Sequence, residues 1–344
     1  MGQPVCIALA GDVVPGRGVN MALRELGAVY AWGNMVPCLS GADLAIINLE
    51  CVVARGGHPW SRWFKPFHFR ADPEAISSLK LAGIDCAVLA NNHVLDYEQE
   101  AFLEMLDRLK QSGIAFAGAG RNLEEAMRPA LLEACGLRIA VVAFTDNEPG
   151  WAAAPTTPGI NWVSVSVQEE SLKPIRESIA RARAEEADLV IFSIHWGPNM
   201  VARPPALFCG FAHAVMEAGA DIYHGHSAHV FQGIELYGGR PIIYDAGDFV
   251  DDYAVDAELR NDWGLLFRWE VDGVSRQIEL VPVVIAECQV NLATGSEMKV
   301  IAQRIRTLSA EMGTTVYREG ERLWIDCQAP SAPLRGAVVE ERSV

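Results

Sequence analysis

Through the first two-thirds of the chain, short uninterrupted apolar runs alternate with stretches whose apolar residues recur every three or four positions. That alternation predicts an α/β fold. The runs at 5–9, 44–47, 86–89, 139–144, 189–194 and 242–244 are predicted strands, several apolar throughout as strands covered on both faces must be. A shorter run lies at 221–223. Helices are predicted where Phe102, Met105, Leu106 and Leu109 precede Gly113, where Leu172, Ile175 and Ile179 share a face, and where Leu207, Phe208, Phe211, Ala212 and Val215 precede Gly219. Beyond about residue 255 the pattern changes, with strands expected at 263–270 and 281–286 to complete a second sheet and a helix at 299–312. The division expected is one domain over 1–290, followed by a C-terminal helix and tail over 291–344 that packs on the core or extends from it. Residues 329–344 are expected to be loosely ordered.

The predicted strands share a spacing. Asp43 opens a run that reaches Glu50, Asp85 one that reaches Asn92, and Asp188 one that reaches His195, each seven residues later. Asp221 opens a shorter run that delivers His226 and His229, and the first run ends at Gly11-Asp12. In open α/β sheets the carboxyl ends of strands form the crevice where ligands bind. Five strand ends are therefore expected to converge on one site.

Composition narrows the function. The formal net charge of −16 comes without a basic stripe, which disfavours a nucleic-acid backbone as partner. No stretch approaches the roughly 20 uninterrupted apolar residues of a membrane helix, and the N-terminus lacks a basic segment followed by an apolar one, so a soluble, cytoplasmic protein is expected. The eight cysteines, widely scattered and without a C-x-x-C, read as small reduced core residues.

Taken singly, the candidate residues are ambiguous. Asp12 after a glycine could cap a turn, Glu50 could be an ordinary polar strand exit, and His195 beside Trp196 could be a satisfied core histidine. Asn92 and His93, in Ala90-Asn91-Asn92-His93, must either build hydrogen bonds or bind something. His224, His226 and His229 place three imidazoles within six residues, which points to metal binding. As a set, carboxylates, an amide and imidazoles without a thiolate suit Mn, Fe or Zn. Two ions are chemically sensible because a carboxylate such as Glu50 can bridge them, and metal-assisted hydrolysis of a phosphoester is then the default reaction class. Asp245 and Asp248 read as partners for ligand histidines, and Asp251 and Asp252 as solvated or capping residues.

The order Gly11-Asp12, Asn48-Leu49-Glu50, Asn91-Asn92-His93 with Asp96, His195-Trp196-Gly197 and Gly225-His226-Ser227-Ala228-His229, over roughly residues 5 to 255, resembles the CapA (poly-γ-glutamate capsule synthesis) family of the calcineurin-like metallophosphoesterase superfamily. The resemblance implies a four-layer αββα sandwich with a dinuclear site of two divalent metal ions between its sheets. By that analogy Asp12, Glu50 and His229 serve one metal, and Glu50, Asn92, His195 and His226 the other. His93 is then the proton donor to a leaving oxygen, oriented by Asp96. The chain departs from the superfamily pattern at Val14, where a histidine is usual, and at Glu50, where an aspartate is usual. Arg17, which fits the family's Gly-Asp-x-x-x-x-Arg pattern, is a candidate to replace missing positive charge or to hold an anionic substrate.

Three activities fit this sequence: a metal-dependent hydrolase acting on a phosphoester or related small anion, a component of capsule synthesis that binds or transfers poly-γ-glutamate, and an epimerase-like enzyme that modifies a peptide. The polymer reading needs cations near the crevice, and Arg17, Arg62, Lys65, Arg70 and Arg203 are the candidates. The aromatic stretch His58 to Phe69, with Trp60, Trp63, Phe64 and Phe67, reads as core and loop packing ahead of a substrate wall.

Overall fold

The computed structural model describes residues 4–272 and 276–327. The first sheet begins with β1 (Val5–Val13), β2 (Leu44–Leu49), β3 (Cys86–Val88) and β4 (Ala115–Ala117), joined through α1 (Arg17–Leu26), α2 (Glu74–Leu81) and α3 (Glu98–Ser112). The second sheet comprises β5 (Ala130–Ala134), β6 (Leu137–Thr145), β7 (Leu189–His195), β8 (Ile222–His226), β9 (Ile234–Tyr237) and β10 (Arg240–Ile243), with α4 (Glu169–Ala184) and α5 (Ala206–Glu217) in its crossovers. The chain then returns to the first sheet as β11 (Asp248–Val250), β12 (Trp263–Val271), β13 (Arg276–Ala286), β14 (Gln289–Leu292), β15 (Tyr317–Glu319) and β16 (Arg322–Cys327).

β1, β2, β3 and β4 pair in parallel, as do β6, β7, β8 and β10. Alternate residues of these strands point to opposite faces, and each face finds a different layer. Ala8, Ala10, Ala45 and Ile47 pack under α1, α2 and α3. Ile7, Leu9, Ile46 and Val88 meet Ile139, Val141, Leu189 and Ile191 of the second sheet. Ala140, Val142, Phe144, Val190 and Phe192 face α4 and α5. The result is the four-layer αββα order, and it explains why the strand sequences are apolar without alternation.

The late strands do not complete a second sheet. β12 pairs antiparallel with β1, from Val5 opposite Val271 to Leu9 opposite Phe267, and β13 follows on β12. The open edge of β1 had to be covered, and antiparallel β12, itself paired with β13, covers it. The helix expected at 299–312 is α6 (Gly295–Glu311), whose Met298, Ile301, Ala302, Ile305 and Leu308 enter the core between the sheets. The expectation for 329–344 falls outside the described residues. Only Cys51, Cys86 and Cys327 are buried. All eight cysteines are free, and Cys135 is exposed at the turn before Gly136, so the reading of cysteines as core residues holds for a minority.

The aspartates that open the runs have a structural task at the edge opposite the site. The Asp43 carboxylate accepts from the Cys6 N–H (2.8 Å), Asp85 from Ala45 (2.8 Å), Asp188 from Arg138 (2.8 Å) and Asp221 from Val190 (2.9 Å). Each ties the start of one parallel strand to the start of its neighbour.

Candidate metal centre

Strand register brings the candidate ligands together. Asp12 on β1 lies opposite Asn48 on β2, and His195 on β7 lies opposite His226 on β8. Gly11 permits the close approach at the end of β1: a Cβ there would fall 1.8 Å from the Gly247 carbonyl oxygen. That contact leaves the Asp12 N–H donating to the same oxygen at 3.0 Å. After β8 the chain turns back through Ser227 (φ 113°) and His229 (φ 58°), conformations that are costly for side chains other than glycine and that bring His229 onto Asp12.

Two groups result, and Asp12 belongs to both. Asp12, His195 and His226 form one, and Asp12, Glu50 and His229 the other, with the ligand atoms of each within 4.8 Å of one another. Asp12 Oδ1 lies 3.6 Å from His195 Nδ1 and 3.5 Å from His226 Nδ1, and Oδ2 lies 3.7 Å from His229 Nδ1. Glu50 Oε1 lies 3.6 Å from His195 Nε2. Asp12, Glu50, His195 and His226 are buried, and His229 is nearly so.

Both Glu50 oxygens, Asn92 Oδ1 and His195 Nε2 are buried and accept or donate no hydrogen bond. A polar group buried that way costs on the order of 1–3 kcal/mol, and more when charged. A bound cation offsets that cost, and the all-oxygen-and-nitrogen donor set fits one. The two groups have the composition and spacing of metal sites.

Electrostatics follow from burial. It pushes Glu50 well above the usual carboxylate range, helped by the Asp12 charge, and pushes His195 and His226 down, toward the form that can ligate a metal. Asp12 goes the other way: burial would raise it, but the hydrogen bond and charge of His195, with His226 and His229, hold it low.

Partners behind the ligands fix their orientation. Asn48 Nδ2 donates to Asp12 Oδ1 at 2.7 Å, and its Oδ1 accepts from Asn91 Nδ2 at 3.1 Å. Ser193 Oγ sits 3.0 Å from His226 Nε2 and 3.1 Å from His224 Nδ1, so His224 backs a ligand and is pushed down to about 4 by burial. His229 Nδ1 pairs with Asp248 Oδ1 at 2.9 Å. Asp245 does not support a histidine; it accepts from the Ala228 and Gly247 N–H groups (2.8 Å each), because the turns beside His229 leave those donors without strand partners. Asp251 is buried, not solvated, and caps Tyr253 N–H at 2.7 Å. Sequence reading assigned no role to Ser193, although a lone hydroxyl within the apolar run of β7 is a detectable signal.

At the mouth, His93 stacks on Phe69 (centroids 4.0 Å apart) and its Nδ1 meets Asp96 Oδ2 at 2.5 Å. Its Nε2 points to Glu50 Oε1 at 3.7 Å. Burial pushes Asp96 up to about 7 against the opposing charge of Lys65. Arg17, 40% exposed, lies over the Phe69 and Tyr253 rings and pairs with Asp252 Oδ2 at 3.3 Å. The aromatic stretch is divided: Trp60 and Phe69 are buried, whereas Phe64 is 90% exposed and Phe67 and Trp63 are partly so.

The buried carboxylates and imidazoles gathered at the central strand ends could hold metal ions, and comparison with known proteins shows the family. The profile for bacterial capsule synthesis protein PGA_cap matches residues 6–253, and the chain belongs to that family. A probable polyglutamine synthesis accessory protein of Mycobacterium tuberculosis is 27% identical over 366 residues, covering 93% of this chain and 95% of its own. Capsule biosynthesis protein CapA of Bacillus anthracis is 26% identical, covering 94% and 78%, and the PGA biosynthesis protein CapA of Bacillus subtilis is 28% identical, covering 89% and 77%. Among the described residues no helix is long and apolar enough to cross a membrane.

Proposed function

We propose that this chain is a metal-dependent hydrolase of a phosphoester or a related anionic substrate, working within capsule synthesis. The observation that carries the reading is the Glu50 carboxylate, fully buried with both oxygens unpartnered, facing Asp12 and the imidazoles of His195 and His229. Asp12, Glu50, Asn92, His195, His226 and His229 would hold two divalent ions, with Mn, Fe or Zn suited to that donor set. Bound ions would supply Lewis acidity and a water acidic enough to attack near neutral pH. His93 performs the proton work: burial favours its neutral form, Asp96 accepts its Nδ1–H, and Nε2 must first take up a proton from water before it can pass one to the departing oxygen. Arg17, held between two rings and a carboxylate, presents its guanidinium to an anionic group at the mouth.

The names of the relatives suggest a second substrate class, poly-γ-glutamate. Of the five candidate cations, Arg62, Lys65, Arg70 and Arg203 pair with Glu98, Asp96, Asp72 and Glu311, and Arg17, which meets Asp252 but stays 40% exposed, is left to face a single anionic group and not the row of carboxylates a polymer presents. The small anionic ester is therefore the better-supported substrate.

The test is elemental analysis of the purified protein and of Asp12→Ala and His226→Ala, with aryl phosphate and phosphodiester hydrolysis measured on the same samples. About two metals per chain, lost in the variants together with turnover, is the expected result. No bound metal after Mn²⁺ addition overturns the proposal. Metal without ester turnover, but with deuterium uptake into peptides in D₂O, replaces hydrolysis with epimerisation.

A further inference from the structure

Lys65 is 5% exposed in its side chain, an unusual place for an ammonium group, and it sits in an irregular segment outside every strand and helix. Lysines are almost never fully buried unless paired. Its Nζ lies 3.2 Å from Asp96 Oδ1 and 3.9 Å from Glu148 Oε1, above the Trp151 ring. The segment that carries it closes on Asp96 at both ends. Trp60 N–H donates to the Asp96 carbonyl at 2.8 Å, and Phe69 N–H donates to Asp96 Oδ2 at 2.6 Å. A third anchor, Trp63 Nε1 to Glu148 Oε2 at 3.1 Å, fixes its middle.

Asp96 Oδ2 thus receives two donors, the Phe69 N–H and His93 Nδ1, while Oδ1 faces Lys65. We infer that Lys65 is a positioning residue for His93. It holds the Asp96 carboxylate in the orientation that engages His93 Nδ1 and thereby turns Nε2 toward Glu50 and the metal centre. Oδ1 is buried and makes no hydrogen bond, so the Lys65 charge at 3.2 Å is what compensates it; without the ammonium group the carboxylate turns to find a donor, releasing the ring. Stacking on Phe69 fixes the plane of the imidazole but not which way round it lies, because a half-turn about Cβ–Cγ restores the same plane, so the Asp96 carboxylate decides where the nitrogens point. An ion pair that served stability alone would not need its partner oxygen to sit across the carboxyl group from a ligand-facing histidine. The catalytic consequence rests on the proposed hydrolysis; the orientation of the ring does not.

The test uses the full chain with its metals, ¹⁵N-histidine labelling and the variants Lys65→Met and Lys65→Arg, with the His93 signal assigned by its disappearance in His93→Gln. The wild type is expected to show a slowly exchanging, downfield Nδ1–H. In Lys65→Met that signal broadens or vanishes, and kcat for an aryl phosphate falls about ten- to a hundredfold. KM and metal content stay within twofold, and Lys65→Arg recovers part of both losses. An unchanged Nδ1–H signal in a folded Lys65→Met protein overturns the inference, as does a loss of kcat that tracks loss of metal. If the wild type turns over no ester, the hydrolysis reading fails and the Nδ1–H signal alone decides Lys65. Should Lys65→Met not fold, Lys65→Gln, which keeps a donor without the charge, is read by the same signal.

Discussion

The ligand nest and the mouth above it are built on different principles. Asp12, His195 and His226 lie on paired strands, Glu50 follows the end of another, and all four are buried and held by register. His93, Asp96, Lys65, Phe69 and Arg17 lie on or beside irregular chain, held by side-chain contacts to one another. The first region is preorganised by the sheet and by the hydrogen bonds behind its ligands; the second is a chain of dependencies in which each contact orients the next.

That contrast can be tested by how losses split between binding and turnover. His93→Gln should lower kcat for an aryl phosphate by about a hundred- to a thousandfold while elemental analysis finds the same metal content. Metal lost with His93 would mean that the two regions are one unit. Arg17→Gln should raise KM about tenfold, the scale of one charge-assisted hydrogen bond, with kcat changed less than threefold in steady-state assays. A fall in kcat without a change in KM would move Arg17 from substrate binding to the reaction itself.

The smallest effect concerns stability at the edge of the nest. Asp146 accepts from the Gly197 N–H, and burial pushes it up to about 6. Its folded pKa exceeds the unfolded value, so between about pH 4 and 6 the native state holds a proton that the unfolded chain has released, and stability falls as pH rises through that window. Asp146→Asn imitates the protonated form. It should remove about 2 kcal/mol of that decline, the size of a shift of this order after allowing for partial exposure. Urea unfolding at pH 4 and pH 7 on both proteins measures the difference, and equal pH slopes would show that Asp146 is not the group responsible.

The sequence made the sandwich legible because both faces of its central strands are covered, which writes continuous apolar runs, and because helices such as α3 end where Gly113 takes the left-handed conformation. It made the nest legible because strands deliver their last residue to one edge. It misplaced β12 and β13 because an antiparallel hairpin has the same local signature whichever open edge it covers. At the mouth, Arg17 was marked by its place in the Gly-Asp-x-x-x-x-Arg pattern, whereas Lys65 was visible only as a cation. What Lys65 does depends on Asp96, thirty-one positions along, and no local pattern records a contact of that range. Asp245 was misread for the same reason, since the N–H groups it satisfies belong to turns whose geometry is set by tertiary packing.

The four aspartates at the far edge give the molecule a datum line. Parallel strands lack the tight turn that fixes register in a hairpin, and a slip of one residue would send every side chain to the wrong layer. Pinning Cys6, Ala45, Arg138 and Val190 to Asp43, Asp85, Asp188 and Asp221 sets the zero from which each strand is measured. Glu50 and His195 then stand at the seventh mark, roughly 23 Å away at the rise of a parallel strand. The chain aligns its chemistry as a surveyor aligns a far point, by fixing the baseline at the other end.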